Sequence, residues 1–334
     1  MSNTSPAFVF VHGAWHDAST WRLVTPLLEA RGHVVEALDL PGAGGNAKAP
    51  RTHGRRPLDM AAFAIEPSPN ADVNQEDRTC AVAALIEEVT RNENRPIVRG
   101  GHSLGGLTVT AVAEAVPERV SAVLYLTAFL LPPSMTAHTM IEHPIMADSL
   151  APSLVLADPK LVRVMRIDPR SDRPDYQRQI KFTLYGDVSD AEIEAALSHL
   201  HCDEPLEVIL NPTLVTPARF GRVPRHFIRC LDDKAIPIAA QDLMIRAIDE
   251  RAYGPTHTHT LATSHSPFYA QPSALAETLS RIAANANSIV NAREHTHSQY
   301  VRRTGLDPST AAWPSYNSLA FNAKIVGPSC ASTS

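Results

Sequence analysis

The sequence lacks any long apolar run, which excludes a simple membrane-spanning segment. No apolar stretch approaches the roughly 18 residues that are needed to cross a bilayer. Positive charge is not in excess either: the formal net charge is −5, so nothing favours nucleic acid or an anionic membrane as a partner. The first apolar run has no basic segment before it and does not read as a secretory signal. We therefore expect a cytoplasmic protein that binds neither nucleic acid nor membrane.

Cysteine is scarce, and the cysteines present show no CxxC spacing. The four cysteines are Cys80, Cys202, Cys230 and Cys330. Their separation favours free thiols in a reducing compartment. Metal-ligand patterns are also weak: His257 and His259 alternate along one predicted strand without a third ligand at suitable spacing. The cluster His199, His201, Cys202 and Asp203 is equally unspecific. We expect no metal and no cofactor.

The first 130 residues alternate strand-like and helix-like segments. The predicted strands are 7–13, 33–42, 96–100 and 119–129, and the predicted helices are 19–31, 75–92 and 103–115. Residues 45–74 are rich in Pro, Asn, Arg and Gly and predict a long irregular loop. Continuous apolar strands that alternate with helices indicate an α/β fold with a mostly parallel, doubly wound sheet.

The pattern changes between residues 131 and 222, where prolines recur and helical fragments replace strands. The alternation then resumes with strands at 225–231 and 256–263 and helices near 237–249 and 271–285. We therefore predict one α/β core, made of 1–130 and 223–285, with a helical cap inserted at 131–222. The polar residues 286–334 predict a tail, either a packing arm or a disordered segment.

One serine stands out between a predicted buried strand and a predicted helix of small residues. The segment Gly101-His102-Ser103-Leu104-Gly105 matches G-x-S-x-G, in which a sharp strand-to-helix turn lifts the serine hydroxyl above the sheet. Glycine fits the flanking positions because the backbone is strained there. The alternative is that Ser103 only caps the N-terminus of the following helix. We interpret Ser103 as a nucleophile.

A serine hydroxyl needs a base, and the base needs an acid that orients it. In α/β-hydrolases, which the turn around Ser103 resembles, the three follow one another as serine, acid and histidine along the chain. The turn after residues 225–231 offers Asp232 and Asp233, and the loop after the last predicted strand offers His265. The amides of Leu104, after the nucleophile, and of Ala14, after the first strand, are the expected oxyanion donors.

Five segments together resemble the α/β-hydrolase superfamily: FVFVHGAWHDASTW, LDLPGAG, GGHSLGG, DDKAIP and SHSPF. Within it they resemble the branch of plant methyl-ester esterases, hydroxynitrile lyases and bacterial carboxylesterases of the pyrethroid-hydrolase type. The resemblance covers 7–130 and 225–285. It implies an α/β-hydrolase fold with an inserted helical cap. It also implies that the acid precedes the lysine of the D-K-x-I-P turn, which selects Asp233 over Asp232.

The resemblance implies a carboxylesterase that cleaves small to medium apolar esters through an acyl-enzyme. Lyases of this branch carry threonine after the first-strand histidine and lysine after the catalytic histidine, whereas this chain has Gly13 and Ser266. A lyase or a C–C bond hydrolase on the same scaffold and a non-catalytic ligand receptor stay open as alternatives.

The substrate pocket and the oligomeric state are less readable from the sequence. We expect Trp15, His16, Met135 and Phe182 to line the pocket. No pattern predicts the oligomeric state. Arg99 departs from the family pattern, because an aliphatic residue is usual there. It occupies the predicted buried strand that enters the strand-to-helix turn of Ser103 (the nucleophile elbow), where a charge needs a partner.

Overall fold

Six parallel strands form one sheet in the computed structural model, which describes residues 5–91, 95–251 and 253–286. The strand order is β2-β1-β3-β4-β7-β8, and every neighbouring pair is parallel. These strands are β1 (Ala7–Val11), β2 (Val34–Ala37), β3 (Ile97–His102), β4 (Ala122–Leu126), β7 (Arg225–Cys230) and β8 (Thr256–Leu261). The mostly parallel α/β sheet that the sequence predicts is confirmed.

Helices cover both faces of this sheet. The helices of the core are α1 (Thr25–Glu29), α2 (Met60–Ile65), α3 (Gln75–Thr90), α4 (Gly105–Ala115), α10 (Ile238–Asp249), α11 (Pro267–Ala270) and α12 (272–286). Alternate residues of β1 enter two separate apolar clusters: Val9 packs with α3, α4 and α10, while Phe8 packs with α1 and α12. The central strands are buried on both sides, which explains their continuous apolar sequences.

The parallel arrangement sets where the polar residues gather. Gly13 follows β1, Ser103 follows β3, Thr127 follows β4, Asp233 follows β7 and His265 follows β8. Because all these strands run in the same direction, their carboxyl ends lie along a single edge of the sheet. That edge carries the candidate site.

The segment between β4 and β7 carries its own small elements. It holds α5 (Ala137–Ile141), β5 (Val164–Arg166), β6 (Asp203–Pro205) and the helices α6 (Pro159–Val162), α7 (Pro174–Leu184), α8 (Asp190–Ser198) and α9 (Leu206–Leu210). Helices were predicted here, but the antiparallel β5–β6 pair was not. The two strands are three residues long and come from distant positions in the chain, so no sequence periodicity reveals them.

Two predicted elements of the first half are corrected. The predicted helix 19–31 is divided into a 3₁₀ turn (Ala18–Trp21) and α1, because Pro26 has no amide hydrogen to donate and begins a new helix. The predicted irregular loop 45–74 contains α2, whose first turn is capped by the side chain of Asp59.

Several predictions concern features outside the sheet. Cys202 and Cys230 are buried free thiols, whereas Cys80 is disulfide-bonded, so the expectation of four free thiols is wrong for that residue. Cys330 and all but the first residue of the predicted tail 286–334 lie outside the described residues. No helix within residues 5–91, 95–251 and 253–286 is both long and apolar enough to span a membrane.

Candidate active site

Ser103 lies on a sharp turn between β3 and α4. Its φ of 52° is in the left-handed region that L residues rarely adopt. The turn requires its two glycines: a Cβ on Gly101 would lie 2.7 Å from the carbonyl oxygen of Gly105, and one on Gly105 would lie 2.5 Å from that of His12. The tight approach of β1, β3 and α4 therefore fixes the serine at the rim of the sheet.

The imidazole of His265 is held by the carboxylate of Asp233. Asp233 Oδ2 lies 2.6 Å from His265 Nδ1 and also accepts a hydrogen bond from Thr127 Oγ1. Asp233 Oδ1 accepts from the amides of Ala235, at 2.7 Å, and Ile236, at 2.8 Å. Since a carboxylate only accepts, Nδ1 of His265 carries the proton and Nε2 presents a lone pair. Asp233 is buried in this contact.

The neighbouring acid, Asp232, is placed differently. Its side chain is exposed, and its backbone amide donates to the carbonyl of Thr263. The structure therefore brings Asp233, and not Asp232, to His265. The sequence alone left both residues open at this turn.

Two backbone amides remain free to bind a negative oxygen. Among the described residues, no acceptor is recorded for the amide of Ala14 or for that of Leu104, and both residues line the same cavity as Ser103. The amide of Trp15, the next residue after Ala14, is already donated to Glu204 Oε2 at 3.3 Å. Ala14 and Leu104 thus offer the donors that stabilise an oxyanion in acyl transfer.

A cavity of about 630 Å³ opens above Ser103 and His265. Its walls are mostly apolar and come largely from the segment between β4 and β7; they include Phe129, Ile141, Met146, Val155, Met165, Leu184, Leu206 and Ile209. The lining also includes three histidines, and its charged residues are Glu142, Asp158 and Lys160. Such a cavity suits a predominantly apolar molecule with a single reactive polar group.

Two of the four residues predicted to line the pocket lie elsewhere. Trp15 and His16 line the cavity, but Met135 and Phe182 do not. Met135 is half-buried against the apolar cluster that contains Val9, and 55% of Phe182 is exposed. Helix α7 buries Tyr176, Ile180, Thr183 and Leu184, so Phe182 faces solvent. The spacing of apolar residues along α7 already indicates that Phe182 lies on the exposed face of the helix, so the prediction that it lines the pocket is corrected.

His102, the residue before the serine, contacts His265, which the motif alone does not reveal. Its Nε2 lies 2.9 Å from the carbonyl oxygen of His265, so this nitrogen carries the proton and donates it. The two imidazole centroids are 4.5 Å apart. Burial holds the pKa of His102 well below its ordinary value.

His16 and Tyr185, which directly follows α7, form a second buried pair beside the cavity. His16 Nδ1 donates to the carbonyl of Ala14 at 2.7 Å, and Tyr185 Oη donates to His16 Nε2 at 2.8 Å. Burial lowers the pKa of His16 to about 3, so the ring stays neutral. After α7, Asp187 accepts hydrogen bonds from the amide and the hydroxyl of Ser264, directly before His265. The segment between β4 and β7 therefore contacts both loops of the candidate site.

The histidine patterns weighed in the sequence do not form a metal site. His226 joins His257 and His259 on the β7–β8 face, but the rings stack, with centroids 5.1 and 5.5 Å from that of His226. His201 instead donates its backbone amide to Trp15 O. In the part of the chain that the structure describes, no group of three or more His, Cys, Asp or Glu residues has metal-binding geometry.

Arg99 is fully buried in β3, and none of its three guanidinium nitrogens has a hydrogen-bond partner among the described residues. Burial lowers the pKa of Arg99 to about 9, with the nearby Tyr125 acting in the opposite direction. The sequence predicted that this residue needs a partner, and the described part of the chain provides no hydrogen-bonding group for it. Nothing in the site explains the residue.

The chain is similar to known hydrolases over most of its length. Residues 8–278 match the model of the alpha/beta hydrolase family. A pyrethroid hydrolase of Sphingobium wenxiniae is 29% identical over 283 residues, which cover 82% of this chain and 86% of that protein. Methylesterase 1 of Arabidopsis thaliana is 27% identical over 297 residues, covering 83% and 95%. The crystal structure of a pyrethroid hydrolase from Sphingobium faniae matches with a TM-score of 0.65 at 27% identity, over 84% of this chain and 97% of that one.

Proposed function

The chain belongs to the alpha/beta hydrolase family, and on that premise we propose that it is a serine carboxylesterase. It cleaves carboxylic esters of small to medium apolar molecules through an acyl-enzyme intermediate. The observation that carries the proposal is that a serine on a left-handed turn shares one apolar cavity with a histidine held by a buried carboxylate. The esterase relatives support the same reaction.

The proposed reaction uses Ser103, His265 and Asp233 in sequence. Ser103 Oγ adds to the ester carbonyl while His265 Nε2 takes its proton, and Asp233 stabilises the imidazolium that forms. The tetrahedral intermediate collapses, and His265 returns the proton to the departing alcohol. Water then attacks the acyl-enzyme with His265 as the base, and the acid leaves as Ser103 is restored.

The amides of Ala14 and Leu104 hold the developing oxyanion in this proposal. Both are backbone groups fixed by the turns after β1 and β3, so they need no reorganisation when charge develops. Such a donor typically contributes about 3 kcal/mol to transition-state stabilisation. The helix N-terminus of α4 lies behind Leu104 and adds a favourable dipole.

The space around Gly13 argues against the lyase alternative. A Cβ placed on Gly13 would lie 2.8 Å from His102 Nδ1 and 2.8 Å from Ser103 Cβ. A threonine, as in lyases of the similar branch, therefore does not fit here without rearrangement of the elbow. Ser266, after His265, carries no charge that would stabilise a departing cyanide.

Replacement of the proposed nucleophile tests the function directly. Ser103→Ala should abolish the hydrolysis of p-nitrophenyl esters while leaving the fold intact. Ser280→Ala is the matched control, because this serine lies in α12 and does not line the cavity. Full ester hydrolysis by Ser103→Ala would overturn the proposal, whereas loss in that variant alone supports it.

The division of the chain and its location also remain proposals. We propose that 1–130 and 223–285 form the catalytic core and that 131–222 caps it, which the cavity walls support. The cytoplasmic location stays a prediction from the sequence.

A further inference from the structure

Trp15, beside the proposed oxyanion donor Ala14, adopts a backbone conformation that L residues rarely occupy. Its φ is 61°, in the left-handed region. Every polar group of this residue is bonded to the segment between β4 and β7. Its amide donates to Glu204, its carbonyl accepts from the amide of His201 at 2.9 Å, and its indole Nε1 donates to the carbonyl of Met165 at 2.9 Å. The turn is therefore held from outside the core sheet.

The peptide that joins Ala14 to Trp15 is fixed at both of its polar atoms. Its carbonyl oxygen accepts from His16 Nδ1 at 2.7 Å, and its amide donates to Glu204 Oε2 at 3.3 Å. Because this plane cannot rotate freely, the backbone angles of Ala14 are constrained as well. Those angles decide where the amide of Ala14 points, and that amide is free and lines the cavity.

Glu204 is an unusual residue to find in this place. Its side chain is fully buried, and its Oε1 accepts from Arg78 Nη1 at 2.6 Å. Arg78 lies on α3 of the core, while Glu204 lies on β6, paired in register with Met165 on β5. One carboxylate thus uses one oxygen for a core arginine and the other for the Trp15 amide. A buried charge is costly unless both oxygens are satisfied in this way.

We propose that Glu204 is a positioning residue for the oxyanion hole: by accepting the Trp15 amide while paired with Arg78, it orients the free amide of Ala14 toward the reacting carbonyl. The inference rests on the proposed esterase function. Glu204 does not line the cavity that holds Ser103, so it acts only through the loop that follows β1. Its effect belongs to the transition state and to the tetrahedral species it resembles, because the ester carbonyl carries no negative charge in the ground state.

Glu204→Gln is the informative substitution, because it preserves the shape of the side chain. Two donors face the two carboxylate oxygens, whereas glutamine offers only one acceptor. Arg78 takes that oxygen, and the NH₂ group then faces the Trp15 amide. We expect kcat for a p-nitrophenyl ester to fall about 10- to 100-fold, less than for the complete loss of an oxyanion donor. KM should stay within about threefold of the wild-type value, since ground-state binding does not use the oxyanion hole.

An aryl trifluoromethyl ketone gives an independent readout. It forms a tetrahedral adduct with the serine, so its inhibition constant should rise by the same factor by which kcat/KM falls. The pH midpoint of activity should not move, because Glu204 does not contact His265. A general loss of structure would instead alter KM or the fraction of active enzyme, leaving the inhibition constant of the active fraction unchanged.

Asp203→Asn is the matched control. Asp203 is the preceding residue on β6, also buried, and pairs with Arg166 through two hydrogen bonds without contacting Trp15. If Asp203→Asn lowers kcat and weakens the ketone as much as Glu204→Gln does, the role is merely structural and the proposal is wrong. Wild-type kcat in Glu204→Gln would overturn it too.

A double variant covers the case in which Glu204→Gln does not fold. Arg78→Met combined with Glu204→Leu removes both buried charges and leaves the Trp15 amide with no side-chain acceptor at position 204. It should show the same loss of kcat and of ketone affinity, and wild-type values would contradict the proposal. Ser103→Ala in the same assay separates the two claims: hydrolysis that persists there overturns the esterase function, whereas a normal Glu204→Gln beside an inactive Ser103→Ala overturns only the role of Glu204.

Discussion

The carboxylate of Asp233 lies 2.6 Å from Nδ1 of His265, at the carboxyl ends of the last two strands of the sheet. The same carboxylate is held by Thr127 and by two backbone amides, so it is oriented before any substrate binds. This contact fixes the tautomer of His265. Nε2 is left to accept a proton from Ser103 in the proposed reaction.

Loss of the Asp233 charge should lower kcat far more than loss of the charge of the neighbouring Asp232. In Asp233→Asn the amides of Ala235 and Ile236 retain the side-chain oxygen, so the NH₂ group faces His265 Nδ1 and donates to it. The wrong tautomer then forms, and kcat should fall on the order of 1,000- to 10,000-fold. Asp232→Asn is the matched control, because that side chain is exposed and should leave kcat within about twofold. Steady-state kinetics with a p-nitrophenyl ester measures both. Equal losses in the two variants would contradict the assignment.

Removal of the buried charge at Arg99 should stabilise the protein. The guanidinium has no hydrogen-bond partner within residues 5–91, 95–251 and 253–286, and a pKa of about 9 leaves it charged at neutral pH. Arg99→Met replaces an unsatisfied cation by an apolar side chain of similar length, and the free energy of unfolding should rise by about 1–3 kcal/mol. Urea denaturation at pH 7 measures this change.

Arg225→Met is the opposite case on β7. Arg225 donates to the carbonyl of Gly254 and to Thr256 Oγ1, and it lies over the ring of Phe220. We expect this substitution to lower the free energy of unfolding by about 1–3 kcal/mol. If both variants are destabilised equally, the Arg99 side chain has a stabilising role that its contacts do not indicate.

Stability should fall as the solution becomes acidic, well before most carboxylates titrate. Burial holds the pKa values of His12, His16 and His102 below the ordinary value of 6.5, and to about 3 for His16. The unfolded chain therefore binds protons below about pH 6.5 that the folded protein does not bind. Each such histidine lowers the free energy of unfolding by about 1.4 kcal/mol per pH unit in this range.

Urea titrations between pH 7.5 and pH 5 test this linkage. The curve should be flat above pH 7, where these histidines are neutral in both states, and should fall steeply below 6.5. Calorimetry should detect proton uptake on unfolding at pH 5.5. A free energy of unfolding that does not change between pH 7.5 and pH 5 would contradict the burial of neutral imidazoles.

The sequence identified the parts of the site that depend on local chemistry. Alternating strands and helices, glycines around Ser103 and a turn that carries Asp232 and Asp233 are each set by a few neighbouring residues. The carboxyl ends of parallel strands then bring these turns to one edge without further information. For the same reason the parallel sheet could be predicted. Within it, the bounds of short strands differ from the prediction: β2 covers Val34–Ala37, whereas the predicted strand was 33–42.

The contacts that hold the site from outside could not be predicted in this way. Glu204 and Arg78 are 126 positions apart, and neither belongs to a motif. The β5–β6 pair joins two three-residue strands across about 40 positions, too short for a periodic signal. Phe182 shows the converse, since the period of α7 would have placed it outside the pocket. The Glu204–Arg78 contact and the β5–β6 pair depend on how distant segments meet in the folded chain, and no local pattern in a single sequence indicates such contacts.

Covalent labelling with a fluorophosphonate tests the central claim most directly, because only an activated serine reacts with it at a useful rate. The wild-type protein should take up one phosphonyl group per chain, on the peptide that contains Ser103, and ester hydrolysis should fall in proportion to labelling. Asp233→Asn should label far more slowly, and Asp232→Asn at the wild-type rate. If the wild-type protein stays unlabelled while it still cleaves esters, or if the label is found on another serine, Ser103 is not the nucleophile.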